Sequence, residues 1–405
     1  MSGTVEKAEE WKPSGNPWLL ILPVMLATFM YALDETVANV ALPHIAGTYS
    51  VSSQESIWVL TSYLMASSIV IPMIDFFCKF LGRKNFFMLG VFVFTIASFL
   101  CGISTSIGMI VVARALQGFG GACLMPMAQS VCMETFTGEA RNKAMAVFGL
   151  VVIVAPILGP VMGGWITENW SWPYIFFINV PVGFICIALA KKFLEDPPYA
   201  RKQQNVHLDK SGFLWLCIWL IPLQIVFDKG NDADWFNAPW ICWLSVIALT
   251  GAVLFFISQV KHKNPLVKLD VFKDSNYLCG TGMLILINAV LLASLAILPQ
   301  LLQYMLGYDS FLSGLAIMPR GLGAFTALMI FGGLGGKISY KTYGIIGLLC
   351  LGTGGWMLGM LNLQINPMNI AIPNFGFGVG LVFTMMSSTT LSCITLRNEQ
   401  MTNAS

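Results

Sequence analysis

Charged residues are scarce in this chain. Of its 405 residues, 10% are Asp, Glu, Lys or Arg and 56% are hydrophobic, and the mean hydropathy is +0.74. Average soluble domains carry roughly 25% charged residues, so this chain has too few to build an ordinary water-facing surface. The net charge of +2 and the lack of a basic cluster interleaved with aromatic residues give no indication of nucleic-acid binding. The composition excludes an ordinary soluble domain and indicates a membrane protein.

Metal-binding and disulfide patterns are also lacking. The three histidines and ten cysteines do not fall at the spacings of a metal site or a disulfide framework. Cysteines in or beside apolar runs behave as small hydrophobic residues, and most are of this kind: Cys101, Cys123, Cys186, Cys217, Cys242 and Cys350. The sequence shows no nucleophile–base constellation either. We therefore expect no metal ion, no cofactor and no enzymatic activity.

Long apolar runs are what the sequence does contain. About 20 apolar residues cross a bilayer as a helix. By that rule the predicted spans are residues 18–40, 56–77, 86–104, 108–130, 143–165, 172–190, 211–228, 238–258, 276–302, 311–336, 342–362 and 368–394. The sequence therefore predicts an all-α polytopic membrane protein with about twelve transmembrane helices.

The basic residues orient these spans. Cytoplasmic loops of membrane proteins are enriched in Lys and Arg. With a cytoplasmic N-terminus, all 22 basic residues fall in inner segments except Lys229 in an outer loop and Arg114 and Arg320 within spans. One misplaced span would invert every later loop, so this distribution supports the number of spans as well as a cytoplasmic N-terminus.

Two polar stretches divide the predicted spans into groups. Residues 191–210 are basic and carry Pro197-Pro198, and residues 259–275 form a second polar stretch after the eighth span. The expected division is a cytoplasmic segment 1–17, a six-helix bundle 18–190, a linker 191–210, a helix pair 211–258, a linker 259–275 and a final bundle 276–405.

Ionisable residues inside the spans are the first functional candidates, because each costs roughly 2.5–3.5 kcal/mol at the centre of a membrane helix. Asp34 and Arg114 each lie six residues from the predicted outer end of their spans, roughly 9 Å deep. At one level they can pair or compete for a proton; a structural ion pair or two snorkelling side chains is the alternative. Glu35 points about 100° away from Asp34 around the helix. The other candidates are Arg320, Asp75 and Glu134.

A glycine- and proline-rich pattern closes the fifth predicted span. It consists of Gly159, Pro160, Gly163 and Gly164. Proline removes a backbone hydrogen bond and bends a helix, and glycine allows close approach between membrane helices. The pattern indicates either a hinge or ordinary tight packing.

Several motifs together resemble a known family. They are LDETVANVALP at 33–43, RALQGFGG at 114–121, APILGPVMGG at 155–164, FFINVPVG at 176–183, and DKG with DWF between 228 and 236. In this order they resemble the major facilitator superfamily, in its fourteen-helix EmrB/QacA-type drug:proton antiporter branch. The resemblance runs from about residue 18 to the end of the chain.

The resemblance implies roles for individual residues. Asp34, beside Glu35, would bind the coupling proton or a substrate cation, and Arg114, with Gln117 of the same motif, would assist proton transfer. Gly159, Pro160, Gly163 and Gly164 would form the hinge and seal of an exporter.

The loop after the second span resembles another family motif only in part. Gly82, Arg83 and Lys84 match its end, but Lys79 occupies its usual acidic position and Asp75 its leading glycine. A charge relay through this loop is therefore doubtful, unless Asp75 substitutes for the missing acid.

The resemblance also carries expectations about the whole protein. The pair 211–258 matches the two extra helices of the branch, and a fourteen-helix protein would continue beyond residue 405, so the rear bundle would hold four of six helices. Residues 397–405 resemble the loop before a further helix. EmrB-like members of the bacterial inner membrane work with a periplasmic adaptor and an outer-membrane channel.

The function predicted is export of amphipathic drugs or other small toxic compounds by alternating access, driven by the proton gradient without a cofactor. Its partners would be the substrate, protons and the lipid bilayer. Two alternatives stay open: a facilitator-superfamily transporter for a specific metabolite or siderophore, and a truncated membrane protein that does not transport.

Overall fold

The computed structural model describes residues 15–197, 200–203, 209–262, 265–267, 272–333, 338–361 and 367–393. These residues form helices and short connections, with no β-strand among them. The terminal segment 397–405, interpreted above as a loop before a further helix, lies outside the described residues.

Twelve helices in the described residues are long and apolar enough to cross a membrane, as the sequence predicts. They are α1 (Pro17–Tyr49), α2 (Ser53–Leu81), α3 (Arg83–Gly102), α4 (Ile107–Thr135), α5 (Gly138–Asn169), α6 (Tyr174–Phe193), α7 (Lys210–Lys229), α8 (Pro239–Lys261), α9 (Ser275–Leu306), α10 (Ser310–Gly333), α11 (Tyr340–Gly359) and α12 (Pro367–Cys393). We call α1–α6 the front bundle, α7–α8 the inserted pair and α9–α12 the rear bundle. The end that holds the α1–α2 turn is called the outer end, following the predicted orientation.

Helix α1 is longer than its apolar run predicts. It begins where the Asn16 side chain accepts a hydrogen bond from the Trp18 N–H, with Pro17 at the first helical position. It ends at Ser50, whose φ of 54° lies in the left-handed region. Its 33 residues span roughly 50 Å, against about 30 Å for the hydrocarbon core. The helix therefore continues past Val40, where the predicted span ends, to Tyr49.

The front bundle packs around two apolar clusters. The inner cluster includes Val24, Phe87 and Leu124, and the outer one includes Leu42 and Ile110, all essentially inaccessible to solvent. In this bundle α1 packs on α4, α5 and α6, and α4 also packs on α2 and α3. These contacts bring the interior faces of α1, α4 and α6 together.

Glycine decides how closely two of these helices approach. A Cβ on Gly118 of α4 would collide with the Tyr63 carbonyl of α2. Small residues at such positions let membrane helices approach closely. The α2–α4 contact therefore brings the α2 backbone within reach of polar side chains on α4.

The rear bundle is built around α12, which packs on α9, α10 and α11. Its buried apolar residues fall into three small clusters, represented by Leu302, Tyr343 and Phe377. The main contact with the front bundle joins α5 to α10, and α1 also touches α9. The two bundles therefore meet along α5 and α1.

The inserted pair is a helical hairpin that touches α2 through α7. Asp209 caps α7 by accepting hydrogen bonds from the Gly212 N–H (2.8 Å) and from Gln259 Nε2 of α8 (3.0 Å). Burial opposes ionisation of the Asp209 carboxyl, but these hydrogen bonds, with one from Ser211, outweigh it and lower its pKa. One capping residue therefore both starts α7 and ties it to α8.

Candidate functional site

Asp34 and Arg114 form an ion pair inside the front bundle. Arg114 Nη1 donates to Asp34 Oδ2 at 2.6 Å, and the two side chains are each 1% exposed. The sequence placed both residues six positions from the outer ends of their spans, but the helices themselves give different distances. Asp34 lies 15 residues before the last residue of α1, and Arg114 lies seven residues after the first residue of α4. The helices begin and end at different heights, yet the packing of α1 on α4 brings the two charges together.

Two amides complete the surroundings of the Asp34 carboxylate. Gln117 Nε2 and Asn179 Nδ2 both donate to Asp34 Oδ1, at 2.9 and 2.6 Å. Gln117 also donates to Ser98 Oγ at 2.6 Å and accepts from Arg114 Nη1 at 2.7 Å. All five side chains are buried. We call these five residues the front polar cluster, to which α1, α3, α4 and α6 contribute.

The Arg114 guanidinium is held on its other sides as well. Its Nε donates to the Val59 carbonyl of α2 at 3.0 Å. Its central carbon lies 4.3 Å from the Tyr63 ring centroid and 5.6 Å from that of Phe176, distances at which a cation is attracted to an aromatic face. Charge and hydrogen bonds are balanced within the cluster, so two ionised side chains persist where single ones would be costly.

Glu35 lies outside this cluster. The Asp34 side chain points into the front bundle, whereas Glu35 is partly exposed although it is the next residue of the helix. Tyr31, one turn before Glu35 and therefore on the same helix face, is also partly exposed, and its ring lies 6.0 Å from that of Tyr63. Of the two adjacent acids, Glu35 is the more accessible one and Asp34 the internally paired one.

Three glycines of the fifth-helix pattern lie at close helix contacts. A Cβ on Gly159 would collide with the Thr36 hydroxyl of α1, and one on Gly163 would come within 3.0 Å of the Val37 side chain. A Cβ on Gly164 would instead collide with the Ser310 carbonyl of α10. The pattern therefore seats α5 between the front and rear bundles.

Pro160 belongs to the same contact. Its carbonyl lies against Gly314 of α10, where a Cβ would collide with it. Helix α5 continues through Pro156 and Pro160 without interruption. The pattern thus acts here as a close-packing surface on a continuous helix, and its predicted role as a hinge stays a prediction.

Polar contacts join the bundles at the outer end. His44 Nε2 lies 2.8 Å from Ser310 Oγ and 3.6 Å from Glu168 Oε1, and Glu168 also accepts from the Ser310 backbone N–H at 2.9 Å. Gln303 Nε2 donates to the Val40 carbonyl at 3.1 Å. These contacts, which we call the outer polar contacts, link α1 and α5 to α9 and α10. No motif in the sequence pointed to them.

At the inner end, the loop motif pairs differently from the expectation. Arg83 Nη1 lies 2.7 Å from Glu134 Oε2, with the Arg83 side chain 8% exposed. Asp75 instead pairs with Lys79, one turn along α2, at 2.5 Å on the surface. Asp75 lies on the exposed face of α2, and Glu134 of α4 occupies the position beside Arg83. The suggestion that Asp75 replaces the missing acid therefore gains no support from this geometry and stays a prediction.

The same loop is closed by a carboxylate that the sequence did not indicate. Gly82 has a φ of +86°, a conformation that favours glycine, and Asp196 Oδ1 accepts the Lys84 backbone N–H at 2.8 Å at the start of α3. Partial burial raises the pKa of the Asp196 carboxyl, although the Lys84 N–H and nearby cations oppose this. Asp196 thus joins the segment after α6 to the α2–α3 turn.

Within the described part of the chain, no group of three or more His, Cys, Asp and Glu side chains is placed to hold a metal ion. The polar clusters are instead made of ion pairs and amide hydrogen bonds.

Comparison with known proteins gives the family. The Major Facilitator Superfamily model matches residues 24–403. The chain is 33% identical to the multidrug export protein EmrB of Haemophilus influenzae, over 96% of this chain and 76% of that protein. It is also 33% identical to the fatty acid resistance protein FarB of Neisseria gonorrhoeae, over 95% and 75%, and 32% identical to the probable multidrug resistance protein EmrY of Escherichia coli, over 96% and 76%.

Solved structures agree on the fold. The xylose transporter XylE of E. coli superposes with a TM-score of 0.63 at 13% identity, covering 96% of this chain and 88% of that one. A peptide transporter, POT, gives 0.66 at 12% identity, covering 95% and 84%. Fold, family match and relatives agree that this chain is a non-enzymatic, multi-pass membrane transporter that belongs to the EmrB-like branch of the major facilitator superfamily.

Proposed function

We propose that this protein is a proton-coupled exporter of amphipathic drugs or other small toxic compounds in the bacterial inner membrane, with its N-terminus in the cytoplasm. The observation that carries the proposal is the front polar cluster, in which the only contact between two full charges is the Asp34–Arg114 pair. The positive-inside distribution of Lys and Arg supports the orientation, and the export and resistance functions for which the relatives are named support export.

Proton binding at Asp34 would unbalance the cluster. A protonated Asp34 would leave the Arg114 cation buried without a counter-charge, which costs several kcal/mol. A shift of α1 relative to α4 and α6 would reduce the cost of this uncompensated charge. Protonation of Asp34 and rearrangement of the helices would therefore be coupled. One proton moving inward supplies about 2.3 kcal/mol per 100 mV and about 1.4 kcal/mol per pH unit. Together these free energies are similar in size to the cost of leaving Arg114 without its counter-charge.

Helix α1 connects this cluster to the contacts between the bundles. It carries Asp34, the Thr36–Val37 surface packed on Gly159 and Gly163, and His44 of the outer polar contacts. A movement of α1 at Asp34 would therefore change both its packing on α5 and the outer polar contacts. This is the mechanical link that alternating access requires when one bundle rocks against the other around a central site.

The names of two relatives support the proposed substrates, and the proposed partners rest on the family resemblance. One relative is named for multidrug export and another for resistance to fatty acids. A periplasmic adaptor and an outer-membrane channel would receive the exported compound. Within this chain, we propose that the front bundle, the rear bundle and the inserted pair are the parts that take part in transport.

Transport by vesicles tests the proposal. Inside-out membrane vesicles containing the protein would be given a fluorescent amphipathic dye and a pH gradient, and uptake recorded for the parent, Asp34→Asn and Glu35→Gln at equal protein levels. We expect Asp34→Asn to lose proton-driven transport and Glu35→Gln to be milder. If Asp34→Asn transports like the parent while Glu35→Gln fails, the proton site is at Glu35; if both transport normally, the front polar cluster is structural only.

A further inference from the structure

A second buried arginine lies in the rear bundle. Arg320 is 5% exposed and is the eleventh of the 24 residues of α10, close to the middle of the span. A charged side chain at this depth is costly without a partner of opposite charge. The front polar cluster makes no use of Arg320, and no sequence motif explains it.

Neutral groups hold the Arg320 guanidinium. Its Nη1 donates to Ser294 Oγ of α9 at 2.8 Å, and its Nε donates to Asn374 Oδ1 of α12 at 3.1 Å. The Phe377 ring of α12 lies beneath it, with the guanidinium carbon 4.5 Å from the ring centroid. Ser294 Oγ in turn donates to the Leu291 carbonyl at 2.8 Å. The cation is therefore fixed in place by oxygen atoms that carry no charge.

One edge of the guanidinium remains unsatisfied. Among the described residues, Arg320 Nη2 is buried without a hydrogen-bond partner, and none of the ion pairs involves Arg320. An orphaned donor of a charged group costs more than a neutral one. The guanidinium is thus in contact with a hydroxyl, an amide oxygen and an aromatic ring, and its Nη2 could donate hydrogen bonds to an anion.

Apolar side chains lie next to the guanidinium. Phe377 belongs to a buried cluster with Ile287 and Leu381, against which Met283 and Leu291 pack. A ligand that satisfies Arg320 Nη2 would therefore present one anionic end to the guanidinium and an apolar body to this cluster. The planar arginine fork suits a carboxylate or a phosphate, because its N–H groups can donate to two oxygens of either anion.

We propose that Arg320 binds the carboxylate of an amphipathic organic acid that the protein transports. This assignment rests on the proposed export function and specifies one class of its substrates. Ser294 and Asn374 act as positioning residues, since they orient the guanidinium without meeting the ligand's charge. The same chemistry would accept the phosphate of an anionic lipid, so the experiment separates the two sources.

Equilibrium binding tests the site without a proton gradient. The purified protein in phosphatidylcholine nanodiscs would be titrated with dodecanoate and with dodecanamide, which has the same chain and no charge. We expect the parent to bind dodecanoate more tightly, Arg320→Gln to lose about tenfold or more of this affinity, and dodecanamide to bind both alike. Arg320→Lys should keep part of the preference, and Arg141→Gln, which removes an exposed arginine of α5, should keep all of it.

Several results would overturn the assignment. Equal dodecanoate affinity in the parent and Arg320→Gln removes the site, and equal affinity of the parent for dodecanoate and dodecanamide does so even if Arg320→Gln fails to fold. Nanodiscs containing phosphatidylglycerol test whether the anion comes from a lipid instead. If this lipid stabilises the parent but not Arg320→Gln against thermal unfolding, and dodecanoate stabilises neither, the anion is a lipid headgroup. A different pair of results would separate the two proposals. If Arg320→Gln loses dodecanoate binding while Asp34→Asn still transports dye, the proton-coupling proposal is contradicted and the Arg320 site is supported.

Discussion

The two bundles each bury an arginine inside a span, and they treat it differently. Both guanidinium groups lie over an aromatic ring, Arg114 4.3 Å from the Tyr63 centroid and Arg320 4.5 Å from the Phe377 centroid. Arg114 meets a carboxylate of its own bundle at 2.6 Å, whereas Arg320 meets a hydroxyl and an amide. The front bundle neutralises its cation internally, and in the described residues the rear bundle does not.

This difference has a physical consequence. A buried ion pair resists the loss of either member, because the remaining charge is then uncompensated. A buried cation held by neutral oxygens behaves in the opposite way, since removing it also removes the cost of burying it. The front polar cluster is therefore a unit that changes as a whole, while the Arg320 site gains most from an external anion.

Removing the front cation should have the largest effect on stability. We expect Arg114→Gln to lower the free energy of unfolding by about 3–5 kcal/mol, because Asp34 stays buried without its counter-charge. Adding Asp34→Asn should recover part of that loss, which a double-mutant cycle measures by denaturant unfolding in detergent micelles. A double variant as unstable as the sum of the two single variants would remove the distinction between the bundles.

Forcing α5 away from α1 tests the packing of the helix through which the front bundle meets the rear one. Gly159→Leu combined with Gly163→Leu should abolish transport while membrane insertion is kept, because both side chains would enter space occupied by Thr36 and Val37. Gly149→Leu is the matched control on the same helix, since a Cβ there meets nothing within 4 Å. Dye transport and protein level would be measured together. Full activity of the double variant would reduce the pattern to ordinary packing.

The inner-end pairs should separate a buried contact from an exposed one. Glu134→Gln should cost about 1–3 kcal/mol of unfolding free energy, since it leaves the nearly buried Arg83 without an anion. Asp75→Asn should cost less than about 0.5 kcal/mol, because its pair with Lys79 is exposed to solvent. Thermal unfolding of both variants measures the difference, and a larger effect at Asp75 would reverse the assignment made from the structure.

Removing the rear cation should destabilise the protein far less than removing the front one. Without added anion, Arg320→Gln should change the free energy of unfolding by less than about 1 kcal/mol or raise it, because a buried charge and an orphaned donor disappear. The measurement is the same unfolding titration used for Arg114→Gln. A loss comparable to that of Arg114→Gln would mean that Arg320 already has a counter-charge within the protein.

Sequence reasoning succeeded where the signal is local. The twelve spans follow from runs of apolar residues, and helix α1 shows the limit of the rule: polar His44 interrupts the apolar run, yet the helix continues to Tyr49. Asp34 and Arg114 were identified because charges within apolar runs are costly. Asn179 was overlooked as a site residue although it interrupts an apolar run, because a neutral amide gives a weaker signal than a charge.

By itself the sequence determined that this protein crosses a membrane many times, which of its charges lie inside the bilayer, and which family it resembles. These properties depend on the length of apolar runs and on short motifs, which are local along the chain. The tertiary structure alone decided the partners: Asn179 lies 145 residues from Asp34, Glu134 rather than Asp75 meets Arg83, and Ser310 lies 266 residues from His44. Such contacts depend on how helices pack and rotate against one another, and the spacing of residues within one helix carries no record of that packing.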